Sequence, residues 1–296
     1  MFRRDKMNCR VPDSFEYPNA YVSLNIVKST WGEFREALAT RTFHINETDK
    51  ALQCTFLKVL DDYLNELGDS CEKELMDILP THKLGRGTKL NAGEKVTPER
   101  FMPNSIYITR GNRFSPAGVE WLYLSYAENL DKARTCSIKE CRATAGDRFG
   151  FCEFQIDQTV GKRKIIDLTI ADQYTYNQID SNLKMYVKRQ AETLAAYKKI
   201  KGTTSKEPLP EMMLEVRKWT AYIYMKLLSN GLFEPISDLA DSNLMYAPFQ
   251  CMATYFKQRG YCGIIYSSTV YRQSKDLVLF DKSLAHPVMP IEDFTV

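Results

Sequence analysis

The sequence predicts an α+β fold. Short runs of apolar and β-branched residues with strand character alternate with long amphipathic stretches, and they do so without the regular βαβ repeat of a doubly wound sheet. The texture also changes near residue 80, where a helix-rich start gives way to glycine- and proline-bearing loops between strands. The expected domains are therefore 1–80, a mainly helical region open to a regulatory or dimerising role, and 81–296, which holds the rest.

In chain order, residues 1–46 give mixed signals, with alternating pieces such as YVSLNIV at 21–27. Asn46 to Gly68 predicts a helix with Leu52, Phe56, Val59, Leu60, Tyr63 and Leu67 on one face, capped by Asn46 and ended by Gly68. A short helix from Ser70 to Leu79 follows, stopped by Pro80. Residues 84–120 read as loops linking short strands. EWLYLSY (120–126) predicts a buried strand, and Asn129 to Cys141 the helix after it. FGFCEFQI and KIIDLTI predict two further strands. Long helices are expected over 177–201 and 208–230, separated by the GTTSKEP turn, with Trp219, Tyr222, Ile223 and Leu227 on one face of the second. A helix over 246–260 ends at Gly260, and GIIYSS and DLVLFD are the last expected strands.

Composition removes several function classes. A hydrophobic share of 44% with 26% charged residues is that of a globular chain. A net charge of +3, spread without a basic tract, gives no electrostatic argument for nucleic acid. The eight cysteines (9, 54, 71, 136, 141, 152, 251 and 262) form no CxxC pair, and only three histidines could join them as metal ligands. Cys152 and Cys262 sit in apolar runs, as small core hydrophobes do. Free thiols suit a reducing compartment, so a soluble, cytoplasmic protein is expected, with no signal peptide and no membrane span. P-loop, GxGxxG, HExxH and GxSxG patterns are missing.

The residues able to do chemistry lie in ordered blocks: LGRGTKL, RGNRFSPAGVEWLYLS, KECR and RGYCGIIYSS before LVLFD. Arg86, between Gly85 and Gly87, has a planar fork suited to a diphosphate. Taken alone, a solvated arginine on a surface turn is the simpler reading. Arg113 sits in a tight GNRFSPAG loop, with Arg110 as rival. Tyr123 is either a strand aromatic or a stacking ring. A helical glutamate such as Glu140 is usually a solvated charge, and a serine such as Ser268 at a strand end usually closes a turn.

Together these blocks resemble the RES-domain family, named for its arginine, glutamate and serine, over roughly residues 82–282. GNRFSPAG is similar to the family's G-R-x-N-P-x-G element, with one residue inserted and serine in place of asparagine. Glu140-Cys141-Arg142 matches an E-x-R context, and GIIYSS matches G-I-x-Y-x-S. RES proteins are bacterial toxins that destroy NAD⁺ and are related in fold to ADP-ribosyltransferases.

The resemblance implies a RES-like core of short strands packed with helices over 81–296. It also implies a toxin-like enzyme, an NAD⁺ glycohydrolase or phosphorylase. Glu140, Arg86 and Ser268 would be catalytic, with Glu128 as fallback for the carboxylate. Arg113, Tyr123, Tyr266 and Ser267 would bind substrate. NAD⁺ would be the substrate, with no metal and no further cofactor. A cognate antitoxin or immunity protein would be the partner, and a homodimer is open. A protein ADP-ribosyltransferase using the same pocket, and a non-catalytic NAD-binding module, are the alternatives.

Overall fold

Runs such as WLYLSYA, FGFCEFQI, GIIYS and DLVL are apolar on both faces, so they need cover above and below. The computed structural model, which describes residues 20–78, 81–160, 162–201, 210–226, 228–229 and 242–296, gathers them into one mixed sheet. Its strands are β1 (Glu72–Glu74), β2 (Lys83–Lys89), β3 (Leu122–Ala127), β4 (Arg148–Ile156), β5 (Lys164–Asp167), β6 (Gly263–Ser267), β7 (Lys275–Leu279) and β8 (Ala285–Thr295). Their spatial order is β1-β5-β6-β7-β3-β2-β4-β8. Only β5 and β6 pair in parallel; the other neighbours are antiparallel. The helices are α1 (Ala20–Ala39), α2 (Thr48–Ala51), α3 (Thr55–Cys71), α4 (Leu130–Glu140), α5 (Tyr176–Lys201), α6 (Pro210–Lys226) and α7 (Ser242–Gln258). The class is α+β.

Residue alternation assigns the two faces. Ile264, Tyr266, Val278 and Phe280 point into the larger core with Trp31, Phe34, Phe56, Leu60, Tyr224 and Phe249, so α1, α3, α6 and α7 cover this face. Their neighbours Ile265, Leu277 and Leu279 point the other way, joining Leu84, Leu122, Leu124 and Phe154 under 3-10 turns that supply Leu75, Ile78 and Phe101. The helix α4 shares the first face but lies over β2–β4, where Ala133 meets Phe149 and Phe151. Two helical blocks thus sit side by side on one face of the sheet.

Several expectations need correction. YVSLNIV lies within α1, because Trp31, Phe34 and Leu38, spaced for a helix, continue into the core. The expected helix over 46–68 is two pieces, interrupted at residues 52–54. Glu47 rather than Asn46 precedes α2, and α3 continues through Gly68 to Cys71. The face itself holds: Phe56, Val59, Leu60 and Tyr63 are buried and Leu52 partly so. The side chain of Leu67 lies outside the described residues.

In place of a helix from Ser70, Glu72–Glu74 forms an edge strand on β5, held by Lys164–Glu72 and Lys73–Asp167 ion pairs. A 3-10 turn over Leu75–Ile78 follows it. Pro80, the GTTSKEP turn and Leu227 lie outside the described residues. LGRGTKL, expected as loop, is the strand between β3 and β4. β8 was not expected at all. It is an edge strand, which tolerates Pro287 and Pro290 because one side of its backbone needs no partner. Among the described residues, no helix is long and apolar enough to cross a membrane.

The glycines of β2 explain its place. A Cβ on Gly85 would lie 2.4 Å from the Phe151 ring, and one on Gly87 would lie 2.3 Å from Phe149 and 2.9 Å from Ser137 of α4. The missing side chains let both rings and α4 close on the strand. Gly87→Ala is therefore expected to overpack this layer and cost about 1–3 kcal/mol. Chemical denaturation should show a lower midpoint with an unchanged slope; an unchanged midpoint would mean that the rings move aside freely.

Candidate active site

Between α4 and the larger helical block, a pocket of about 260 Å³ opens on the sheet. Arg86, Tyr123, Glu140 and Tyr266 line it, together with Gly85, Gly87, Asn112, Ser125, Cys141 and Asp276. Four residues expected from separate blocks of sequence thus share one cavity.

Arg86 enters it where the sheet parts. β2 and β3 pair only from Lys83 to Gly85, and beyond that point Arg86 Nη1 donates to the Tyr123 carbonyl at 3.4 Å. The guanidinium has no carboxylate partner among the described residues, and burial lowers its pKa to about 10. Its planar fork has the geometry that a carboxylate or phosphate can accept from.

Glu140 is the last residue of α4, and local chemistry sets that end. The Ala143 N–H bonds the Ile138 carbonyl and the Arg142 N–H bonds that of Lys139, while Arg142 takes φ of 50°. This is a Schellman closure with arginine in the position glycine usually fills. Asn129 caps the other end by accepting from the Lys132 N–H. Arg134 ties the helix to β8 by a two-pronged bond to Glu292 at 2.7 and 2.6 Å.

Around the Glu140 carboxyl, Ser268 Oγ donates to Oε1 at 2.7 Å and accepts from the Tyr271 N–H at 3.1 Å. A carboxyl oxygen of Asp276 lies within 4.8 Å of one of Glu140. Burial, reinforced by the Glu140 charge, pushes the Asp276 pKa well above the carboxylate range. Cys136 Sγ donates to Asp276 Oδ1 at 3.6 Å, and burial pushes this thiol up to about 12. The ligating atoms of Cys136, Glu140 and Asp276 lie within 4.8 Å of one another, a spacing a metal could use. A buried thiol held as a donor to Asp276 fits a chain of shared protons better.

Tyr123 and Tyr266 form aromatic walls. Burial raises Tyr123 to about 12 and pushes Tyr266 well above the usual phenol range, so both stay neutral phenols. The Tyr123 hydroxyl lies 3.0 Å from Ser115 Oγ. Arg113 is not among the pocket-lining residues, although its charge acts on Tyr123, Tyr266 and Asp276. Its guanidinium lies 5.6 Å from the Tyr266 ring centre, and Nη2 donates to Thr269 at 3.2 Å. Ser267, next to Tyr266 on the strand, points to the opposite side. There its hydroxyl donates to Asp172 at 2.5 Å and lies 2.8 Å from that of Ser229. The rival Arg110 is exposed, and Glu128 is an exposed partner of Lys132.

Sequence reasoning missed three contributors. Asp276 hid as the polar first residue of DLVLFD, although an acid opening so apolar a strand was a usable sign. Ser115, whose hydroxyl meets that of Tyr123, and Gln250, which holds backbone, gave no sign. Gln250 Nε2, from α7, donates to the carbonyls of Asn112 at 3.0 Å and Ser115 at 3.3 Å. Those bonds fix the loop carrying Arg113. Gln250→Ala should leave the Asn112 carbonyl without its side-chain donor, while that of Ser115 keeps the Asn112 N–H, and cost about 1–3 kcal/mol. Amide exchange should quicken at residues 112–115 before it does in the sheet; uniform protection would show that the clamp does not hold the loop.

No family model and no curated protein matches the sequence. Among solved structures, the M. tuberculosis MbcT–MbcA toxin–antitoxin complex is similar over 79% of this chain and 92% of that chain, at 9% identity and a TM-score of 0.34. So distant a likeness assigns neither a family nor an activity.

Proposed function

We propose that the chain consumes NAD⁺ by cleaving the bond between nicotinamide and ribose. The observation that carries this reading is the pairing, in one pocket, of an arginine without a carboxylate partner among the described residues and a hydrogen-bonded glutamate, with two neutral tyrosines beside them. The RES resemblance supports it independently. Arg86 would hold the diphosphate, and Tyr123 and Tyr266 would take the nicotinamide ring. The bond from the ring nitrogen to the ribose breaks with its electron pair leaving on nicotinamide, which departs neutral. The ribose is left as an oxocarbenium ion, which the Glu140 carboxylate stabilises. Water or phosphate then attacks that carbon and loses a proton. Ser268, whose hydroxyl is committed to Glu140, would orient the carboxylate rather than attack.

A cytoplasmic setting and a protein partner that covers the pocket belong to the same proposal and rest on the resemblance. NAD⁺ and product analysis with the purified protein separates the routes. Loss in buffer alone marks a glycohydrolase, and loss only with phosphate a phosphorylase. Loss only with an added protein target marks transfer, and binding without loss marks a non-catalytic module.

Glu140→Gln should keep the fold and lower NAD⁺ consumption on the order of 10²-fold or more. Turnover within a few-fold of wild type would remove Glu140 from the mechanism. Arg86→Lys keeps the charge but loses the planar fork, and should weaken NAD⁺ binding by roughly 1–3 kcal/mol. Unchanged affinity by calorimetry would place Arg86 outside the site.

A further inference from the structure

We propose that Glu140 and Asp276 hold one proton between them, Asp276 serving as a positioning residue whose protonated carboxyl donates to the Glu140 carboxylate, so that loss of that proton at alkaline pH disarms the site. The activity half of this inference rests on the NAD⁺-cleaving reading; the shared proton does not.

Asp276 is 5% exposed, on β7 between Tyr266 of β6 and Ser125 of β3. The groups facing it can be taken element by element. From α4 come the Glu140 carboxyl and the Cys136 thiol, which donates to Oδ1 at 3.6 Å. Ser125 and Ser137 are 2.9 Å apart, paired with each other. From β6 comes the neutral Tyr266 phenol, and from the 108–121 loop Arg113, whose charge favours ionisation of Asp276. Arg86 of β2 lines the same pocket. Lys275, the adjacent lysine, answers to Asp167 on the other face of the strand.

The Glu140 and Asp276 carboxyls, with oxygens within 4.8 Å of each other, cannot both ionise in a dry setting unless a cation lies between them. Among the described residues neither carboxylate is held in an ion pair, and Arg113, whose charge reaches Asp276, donates to Thr269. The direction of the Asp276 shift, upward from burial and the Glu140 charge, agrees with a retained proton. The bonds around Glu140 then divide cleanly. Ser268 donates to one oxygen, Asp276 supplies a further donor, and the pair carries a single negative charge toward the forming oxocarbenium ion. With a second proton the pair is neutral and cannot stabilise it. With none, Asp276 repels Glu140 instead of holding it.

Turnover should therefore fall at high pH, this alkaline limb belonging to Asp276. In Asp276→Asn the amide is a donor that does not titrate, so that limb should vanish. In Asp276→Val the donor is lost, and kcat should drop about 10–100-fold with KM for NAD⁺ changed far less. Recovery of kcat in Asp276→Asn over Asp276→Val marks positioning as distinct from packing.

Infrared spectroscopy of the wild type with ¹³C-labelled aspartate carboxyls tests the proton without activity or any variant. A buried, protonated carboxyl band at neutral pH should shift with the label. No such band, or an alkaline limb that persists in Asp276→Asn, overturns the proposal. A protein that shows the band but leaves NAD⁺ intact refutes the NAD⁺-cleaving reading and leaves the shared proton standing.

Discussion

The close approach of α4 to β2 is the constraint on which the site depends. A strand with ordinary side chains at positions 85 and 87 would hold that helix off by the width of a methyl group or more. With glycine at both, the Phe149 and Phe151 rings and Ser137 fill the space directly. The helix then ends beside the gap where β2 and β3 part, and its final residue, Glu140, shares a cavity with Arg86. One packing choice, made on the strand that carries the cation, also places the anion. The chain gives up two core side chains on its central sheet for it, and the rings recover part of the lost burial.

What could be read from the sequence follows from where its signals are local. WLYLSY, FGFCEFQI, GIIYSS and DLVLFD are apolar enough to identify themselves, and Asn129 announces the helix that ends at Glu140. YVSLNIV failed because a short alternation cannot outweigh the helical spacing of Trp31, Phe34 and Leu38 just beyond it. LGRGTKL failed for a deeper reason. Its glycines carry the usual mark of a loop, and only the aromatic rings of a partner strand, far along the chain, make them the right residues for a strand. β8 was hidden by its prolines, which an edge strand permits.

The site divides in the same way. Arg86, Tyr123, Glu140 and Tyr266 could be found because each lies in a compact block, and the fold brings the blocks to one cavity. Arg113 and Ser267 lay in the same blocks, yet stand outside the lining. For Ser267 the reason is strand geometry: beside Tyr266 it must point the opposite way, and it serves Asp172 and Ser229 there. For Asp276 the local sign was an acid opening an apolar strand, but its meaning depends on the register that sets it between Tyr266 and Ser125. Gln250 acts on backbone carbonyls, which leave no trace in the sequence they belong to.

The position of Glu140 carries an electrostatic cost that accounts for its neighbours. The end of α4 presents carbonyl dipoles, the wrong partners for an anion. A carboxylate there needs donors that the helix itself cannot provide. Ser268 and Asp276 supply them from the turn after β6 and from β7, so the charge is oriented before any ligand arrives. Donors fixed in advance need not reorganise when charge develops nearby, which is what an electrostatic catalyst requires. The burial of Asp276 that is unfavourable for the fold is, by this argument, what keeps its proton available to Glu140. Under the proposed mechanism, the pocket at this end of α4 is where such destabilising chemistry has a use.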